Sequence, residues 1–309
     1  MFRMGDCARS FVSTIRSTLN VGGGSAVTSF SEVLKDTYNT NETPSIKKVP
    51  STIHHFWYGD TAVLRGYADN LIATAKMNKG YSVVLHVLSA DKGDLKRLKK
   101  ELVGVKVKDA VHEKWFSKFR SSERYHQFVE AMSAEVRCFA SGADVIKSEI
   151  LQRKGGVWND VDNIPLKPLP KKLVVEKGGM LTAGPVLFNR QNGECGVHSS
   201  TLATHKNNSI VKDINKCSFS KFKNLEGVVY KQNEKTRDAS AHFLKMSEIA
   251  GSLHFSRELM GRSKCFEREI LELRIGKQSS NDLHVIFDRF FQPVFSSSTV
   301  WKNQQSRSK

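Results

Sequence analysis

The chain has 309 residues, of which 39% are hydrophobic and 26% are charged, and these values are typical of a soluble globular protein with one large domain. The formal net charge of +17 favours polyanionic partners. The lysines and arginines are dispersed, however, and no zinc-finger spacing or RNA-binding aromatic motif accompanies them, so a specific nucleic-acid partner is not indicated.

Neither a membrane span nor a cleavable export signal is expected. No run of about 18 apolar residues occurs, and Arg3, Asp6, Arg9 and Arg16 interrupt the apolar residues at the start of the chain, which argues against a signal peptide. The five cysteines never stand in a CxxC spacing. This pattern indicates reduced thiols in a reducing compartment rather than a disulfide framework.

The first half of the chain begins with a polar segment and continues with strand and helix patterns. Residues 1–46 are rich in Ser, Thr, Asn and Gly, which predicts a flexible N-terminal tail, and the folded domain is expected over residues 47–309. β-branched and aromatic residues predict a strand over Thr52–Tyr58. Apolar residues at helical spacing predict a helix over Leu64–Met77, and Tyr81–Leu88 is expected to form a buried strand.

The alternation continues to the middle of the chain. We expect a helix over Lys92–Leu102, a strand over Val103–Val107, and helices over His126–Gly142 and Ala143–Lys154. A Gly-Gly pair then ends the last helix, and Val157–Val161 is predicted to be a short strand. Strands that alternate with helices at this spacing predict an α/β fold with a mainly parallel central sheet, flanked by helices and carrying helical additions.

Two aspartates close this last strand. On an extended backbone Asp160 and Asp162 lie on the same side, and two such carboxylates repel each other unless a cation lies between them and a ligand. Hard divalent cations take oxygen ligands, which substrate phosphates often complete. In the preceding helix, Asp144 and Lys147 share one face, either as a weak exposed ion pair or as a surface that binds a sugar.

This stretch resembles the sugar-binding region with a DXD motif of the large clostridial toxin glucosyltransferases and related bacterial effectors. That family has S-D-x-x-R followed, after a gap, by G-G-x-Y-x-D-x-D, and the chain has ADVIK at 143–147 and GGVWNDVD at 155–162. The resemblance implies a GT-A-like glycosyltransferase. The chain departs from the family pattern at Lys147, which replaces a bidentate Arg, and at Asn159, which replaces an apolar residue.

The resemblance also implies roles for these residues. Asp144 and Lys147 would bind the sugar, Asp160 would contact the ribose and the sugar, and Asp162, assisted by Asp160, would bind Mn²⁺ or Mg²⁺.

Two further segments are similar to the same family. The segment IHHFWYG at 53–59 is similar to its first strand, I-H-x-x-W-x-G, which implies that Trp57 stacks on the uracil; a buried tryptophan of the core is the alternative. The segment SSSTVW at 296–301 resembles the C-terminal lid. This likeness implies that Thr299 and Trp301 reach the diphosphate, and an ordinary polar tail is the alternative.

The resemblance implies transfer of a sugar, with retention, from UDP-glucose or UDP-N-acetylglucosamine to an acceptor. A host protein side chain is the expected acceptor, and the expected protein is a monomer that a bacterium delivers into the host cytoplasm. Three alternatives stay open: a cytoplasmic enzyme of polysaccharide or glycolipid synthesis, an inactive transferase, and a basic nucleic-acid-binding protein without catalysis.

The histidines do not indicate a metal site. His54 and His55 are adjacent, so a strand would direct their side chains to opposite faces, and His126, His198 and His254 have no potential ligand at close spacing. Core or surface positions are therefore expected for all of them.

Overall fold

The computed structural model describes residues 45–88, 91–133, 139–189, 194–225, 247–262 and 287–293. The strands are β1 Ile46–Lys48, β2 Thr52–Tyr58, β3 Ser82–Leu88, β4 Val105–Asp109, β5 Gly156–Asn159, β6 Ile164–Pro165, β7 Val174–Glu176, β8 Leu181–Asn189, β9 Glu194–Thr204 and β10 Phe291–Gln292. The helices are α1 Thr61–Arg65, α2 Ala68–Met77, α3 Lys92–Glu101, α4 Lys114–Arg120, α5 Arg124–Ser133, α6 Phe139–Lys154, α7 Ser209–Asn224 and α8 Ser252–Arg262. No helix in these ranges is long and apolar enough to cross a membrane.

Six strands form the central sheet, in the order β4-β3-β2-β5-β9-β8. Strands β4, β3, β2 and β5 run parallel, whereas β9 pairs antiparallel with both β5 and β8. Because parallel strands end at the same edge of a sheet, the residues that follow β2 and β5 lie at one edge. The predicted α/β fold, with a mainly parallel sheet between helices, is confirmed.

One face of the sheet is mainly apolar, because alternate residues of its strands, such as those at 83, 85 and 87 of β3, are buried aliphatic side chains. Ile53 of β2 and Val83 of β3 belong to a cluster that includes Leu71 of α2 and Leu98 of α3. Each such side chain contributes about 1.5–3 kcal/mol when it is fully buried. The opposite face carries buried polar residues such as His54, and α6 packs against β2.

The predicted helix Leu64–Met77 is wrong, since two shorter helices occupy this region. Helix α1 ends at Arg65, and the Gly66 N–H donates to the Val63 carbonyl at 3.1 Å. Tyr67 then adopts φ −111° and ψ 7°, which lies outside the helical region, before α2 begins at Ala68.

The predicted helix boundary at Gly142 is also wrong. Helix α5 ends at Ser133, and Gly142 lies inside α6, which begins at Phe139. A β-carbon at Gly142 would clash with the Met132 side chain of α5. The glycine therefore permits close packing of two helices and does not end one.

The Gly-Gly pair ends α6, as the sequence predicted. Gly155 has φ 63° and Gly156 has φ 100°, a backbone region that glycine adopts readily and other residues rarely do. A β-carbon on Gly156 would also lie 2.7 Å from the Thr52 carbonyl oxygen. This turn therefore brings the start of β5 directly beside the start of β2.

The predicted tail and lid stay predictions. Residues 1–44, as well as Thr299 and Trp301, lie outside the described residues. Residues 46–48 form β1, which pairs antiparallel with β7.

Candidate functional site

The two aspartates of the DXD motif lie in a turn after β5, which is shorter than predicted. Strand β5 ends at Asn159. The Asp160 N–H still donates to the Ser200 carbonyl of β9 at 2.8 Å, but the Asn163 N–H donates to the Asp160 carbonyl at 3.2 Å and closes a turn. The expectation that an extended backbone aligns Asp160 with Asp162 is therefore wrong. A hydrogen-bonded turn carries both residues instead.

The buried side-chain amides of Asn159 and Asn163 hold this turn through hydrogen bonds. The Asn159 side-chain oxygen accepts from Asn163 Nδ2 at 2.8 Å and from the Thr201 hydroxyl at 2.9 Å. Asn163 Nδ2 also lies 3.0 Å from Thr201 Oγ1. The Asn at position 159, where the resembling family has an apolar residue, therefore has a structural role: its side chain anchors the turn that carries the two carboxylates.

Lys147 brings three of the expected site residues together. Its side chain is 2% exposed, and its ammonium nitrogen lies 2.7 Å from Asp144 Oδ1 and 3.7 Å from Asp160 Oδ1. The same nitrogen donates to the Ser199 carbonyl of β9 at 2.7 Å. The pair that begins as an i,i+3 contact on α6 is thus a buried cluster that reaches the DXD turn.

Trp158, which the sequence did not single out, completes this cluster. Its indole N–H donates to Asp160 Oδ1 at 2.6 Å, and the Lys147 ammonium lies 5.5 Å from its ring centroid. Trp158 is two residues before Asp160, at the last but one position of β5. This spacing could have indicated that the two side chains lie on the same face of the strand. Both the Trp158 N–H and the Lys147 ammonium contact Asp160 through Oδ1, which leaves Oδ2 for another partner.

The cluster carries excess negative charge in a strongly basic chain. Two carboxylates, on Asp144 and Asp160, lie beside one ammonium, so their formal sum is 1 − 2 = −1, and Asp162 adds a further carboxylate to the turn that carries Asp160. Burial raises the pKa of Asp144 and of Asp160 although Lys147 opposes this shift. Burial alone would lower the pKa of Lys147, but the two carboxylates outweigh it and raise that pKa. Lys147 therefore stays charged, and a divalent cation would neutralise the remainder.

The strand β9 contributes to the site through a bulge. Thr182 of β8 pairs with Leu202, whereas the next residue, Ala183, pairs with His198. Residues 199–201 therefore have no partner in β8. They bond to the site instead, through the carbonyls and hydroxyl described above, which fits the tendency of bulges to occur next to functional sites.

A second missed contribution comes from the start of α8. The Ser252 hydroxyl donates to Ser199 Oγ at 2.8 Å. A β-carbon on Gly251 would lie 3.1 Å from Asp144 Oδ2, so this carboxylate packs against the backbone there. These contacts join positions about 50 to 100 residues apart, and no local spacing in the sequence indicates them.

Trp57 lies at the same edge of the sheet as the DXD turn. It is half-buried near the end of β2, its indole N–H donates to the Asp60 carbonyl at 3.1 Å, and its ring lies 6.1 Å from that of Tyr67. Asn70 of α2 donates to the Asp162 carbonyl at 3.2 Å. The segment after β2 is thus tied to the turn after β5.

The residues of the turn fit a hard divalent cation. Asp160 and Asp162 are both half-buried carboxylates, and Asn163 Oδ1 is a buried amide oxygen that makes no hydrogen bond with the described residues. All of these are oxygen donors, the class that Mg²⁺ and Mn²⁺ prefer.

A different potential ligand group lies away from this turn, on α7 and α8. Ligand atoms of Cys217, His254 and Glu258 lie within 4.8 Å of one another. The Lys221 ammonium, however, lies 3.1 Å from His254 Nδ1 and 3.9 Å from Glu258 Oε1. An ammonium thus already holds the place of a cation there, and we regard this group as an ion-paired structural contact.

Comparison with known proteins supports the fold. No protein-family profile matches the chain, and no curated protein matches its sequence. The solved structure of PaToxG glycosyltransferase superposes with a TM-score of 0.58 at 16% identity, over 96% of this chain and 92% of that one. The ligand-free glycosyltransferase domain of the YGT toxin gives 0.44 at 9% identity, over 78% and 82%. The catalytic domain of alpha-toxin from Clostridium novyi gives 0.44 at 10% identity, over 94% and 76%. On the first of these comparisons, the chain has the GT-A-like fold of a glycosyltransferase, as its sequence resemblance implied.

Proposed function

We propose that the protein is a metal-dependent glycosyltransferase that transfers a sugar from a UDP-sugar to an acceptor. The observation that carries this proposal is the buried Lys147 between Asp144 and Asp160, at the edge where β2 and β5 end. Asp162 lies in the same turn as Asp160. Ligands of open α/β sheets bind outside the carboxyl ends of the strands. The base would bind at Trp57 and the diphosphate at the turn.

Lys147 acts as a positioning residue in this proposal. An ammonium has three protons, and this one lies beside three protein acceptors, on Asp144, Asp160 and Ser199. Its side chain is also 2% exposed. It therefore holds the two carboxylates in place, and the sugar hydroxyls are left to bond with the more accessible Asp144 and Asp160.

A divalent cation would be held by Asp162 and Asp160, with the Asn163 amide oxygen close by, and would supply neutralisation of the charge that develops on the diphosphate. In the transfer, the bond between the sugar C1 and the β-phosphate oxygen breaks, and its electron pair leaves with UDP. A bond forms between C1 and the acceptor oxygen, whose proton passes to the leaving phosphate or to solvent. Retention of the anomeric configuration is proposed on the sequence resemblance.

A protein side chain is the acceptor that we propose, in a protein that a bacterium delivers into a host cell. The motif resemblance to toxin glucosyltransferases supports this choice. Labelled UDP-glucose and UDP-N-acetylglucosamine, each added to a host cell lysate, would place the label on protein. A label found instead on saccharide or glycolipid would overturn this part of the proposal and leave the donor chemistry intact.

Release of UDP from each of the two donors, with Mn²⁺ and then with chelator, tests the chemistry. Asp160→Asn and Asp162→Asn should each lower the rate by about 100-fold or more, because a bound metal supplies several kcal/mol of stabilisation to developing charge. Asp69→Asn, an exposed aspartate of α2, is the matched control and should turn over normally. Equal rates in all three variants, or no effect of chelator, would refute the proposal.

A further inference from the structure

A recess of about 210 Å³ lies at the other end of the strands from the DXD turn. Thr52 and Ser82 on its wall are the first residues of β2 and β3, whereas the DXD turn follows the last residue of β5. The rest of the polar lining comes from the same face of the sheet and from the end of α6, with the side chains of His54, Lys106, Lys108 and Lys154. The recess is therefore separate from the proposed donor site.

The lining of the recess is cationic. Three lysines line it, and one carboxylate, Glu113, lies 2.7 Å from Lys154 Nζ and 3.7 Å from Lys108 Nζ. The formal sum of these four groups is 3 − 1 = +2. Lys106 is exposed and forms no ion pair within the described part of the chain. At least one ammonium is thus available to a ligand.

Hydrogen-bond donors accompany these charges. The hydroxyls of Thr52 and Ser82 face each other in the sheet register and bond to no described residue. Lysine ammoniums and hydroxyls together form the kind of donor set that binds phosphate oxygens.

His54, which lines the recess, is paired with the buried His86, and this pair has an unusual proton count. His54 Nε2 faces the Gly155 carbonyl at 3.2 Å, and His86 Nδ1 contacts the Glu113 carboxylate. Both partners only accept hydrogen bonds, so each ring must donate to its own partner. The contact between His54 Nδ1 and His86 Nε2, at 3.0 Å, then needs a third proton, whereas two neutral imidazoles carry two in total.

All three contacts are therefore satisfied only when the histidine pair holds one positive charge. Burial, and then His86 and Lys154, lower the pKa of His54 well below its usual value. Burial also lowers the pKa of His86, together with Lys154 and Lys108, while Glu113 opposes this shift. An anion in the recess would offset the two lysines, so anion binding and uptake of the third proton favour each other.

We propose that this recess is a binding site for a phosphate group, presented either by a soluble phosphorylated molecule or by the headgroup of an anionic lipid. Lys106, with Lys108 and Lys154, supplies the charge. Thr52 and Ser82 supply hydroxyl donors, and the pair of His54 and His86 supplies a further positive charge when the anion binds.

Titration calorimetry of the full chain with inorganic phosphate tests the site. Lys106→Gln should weaken binding by about five-fold, the value expected for one partly exposed charge contact, and Ser82→Ala should weaken it as well. Lys96→Gln removes an equal charge from an exposed position on α3 and should leave the affinity unchanged. Equal weakening by Lys106→Gln and Lys96→Gln would show attraction to net charge alone and would overturn the proposal, as would the absence of saturable binding.

The histidines provide a second and local readout. Sulfate stays a dianion well below neutral pH, so its affinity should rise as the pH falls below 6.5, because burial holds the pKa of both rings beneath that ordinary value. The ring signals of His54 and His86 in NMR spectra should shift on binding. Ring signals that stay fixed at saturating sulfate would overturn the assignment to this recess. UDP release should be normal in Lys106→Gln, so failure here is distinguishable from failure of the proposed transfer.

Vesicle sedimentation separates the two sources of phosphate. Vesicles of phosphatidylcholine alone are compared with vesicles that also contain phosphatidylinositol 4-phosphate. Binding to the second kind that Lys106→Gln reduces, with Lys96→Gln as the control, assigns the site to a lipid headgroup. Equal sedimentation with both kinds, together with saturable binding of soluble phosphate, assigns it to a soluble ligand.

Discussion

Replacing Lys147 with Met removes the single ammonium of the candidate site and keeps most of the side-chain volume. The ammonium lies 2.7 Å from both Asp144 Oδ1 and the Ser199 carbonyl oxygen. Removal of one partner from a buried ion pair costs about 3–5 kcal/mol. The side chains of Asp144 and Asp160 are 16% and 34% exposed and retain some water, so we expect the lower end of this range, about 3 kcal/mol.

This loss should depend on pH in a defined direction. Burial already raises the pKa of Asp144 and of Asp160, and without Lys147 this rise is opposed only by hydrogen bonds from Ser199 to Asp144 and from Trp158 to Asp160. A carboxyl whose pKa is higher in the folded state binds protons more tightly when folded, so its contribution is largest at low pH and is lost as the pH rises through the folded pKa. The variant should therefore approach the parent protein in stability as the pH falls from 8 to 5.

Urea unfolding followed by circular dichroism at pH 5, 6 and 8 measures both effects. Lys212→Met, at an exposed position of α7, controls for the loss of a lysine charge and should change the free energy of unfolding by no more than about 0.5 kcal/mol. If Lys147→Met proves as stable as Lys212→Met at pH 8, the ammonium does not hold the two carboxylates as described.

Three further substitutions probe other parts of the molecule. Glu149→Gln weakens ion pairs with two arginines, at 2.7 and 2.9 Å, and should lower the free energy of urea unfolding by about 3 kcal/mol. Glu248→Gln, in an exposed ion pair, should lower it by less than about 1 kcal/mol. Similar losses in the two variants would contradict the role of burial. Gly156→Ala places a β-carbon 2.7 Å from a carbonyl at φ 100° and should lower the melting temperature by several degrees, through about 1–3 kcal/mol of strain, while Gly80→Ala, with open space around it, should melt like the parent. Trp57→Ala should weaken UDP binding in calorimetry by about 1–3 kcal/mol through lost stacking, and an unchanged Kd would place the base elsewhere.

The strands were predictable where local composition and burial agree. β2 was predicted with its observed bounds and β3 to within one residue, because both are runs of β-branched and aromatic residues that the sheet buries. The helix at 64–77 was predicted as one element because its apolar spacing continues through Gly66. The Gly66 N–H forms capping hydrogen bonds that end α1 and so divide this helix in two. The spacing of apolar residues does not indicate such bonds.

The candidate site was predictable only in part, for a different reason. Asp144 and Lys147 are one helical turn apart, so their contact follows from local geometry. The carbonyls of Ser199 and Ser200 accept hydrogen bonds from Lys147 and from the Asp160 N–H at the bulge in β9. A bulge has no signal in residue spacing. Strand β5 was also predicted too long, because bonds of Asn163 to Asp160 and to Thr201 of β9 hold the turn that ends it.

Because of the bulge in β9, the position of residues 199–201 does not depend on hydrogen bonds to β8, the other strand of the hairpin. Residues 199–201 form hydrogen bonds to α6, α8, β5 and the DXD turn, and they have no paired residues in β8. Changes of sequence in β8 opposite the bulge can therefore accumulate without moving the acidic cluster. A one-residue shift in the register of β9 would instead break the hydrogen bonds to Lys147, Asp160 and Asn159 at the same time. The geometry of the acidic cluster therefore depends on residues 199–201.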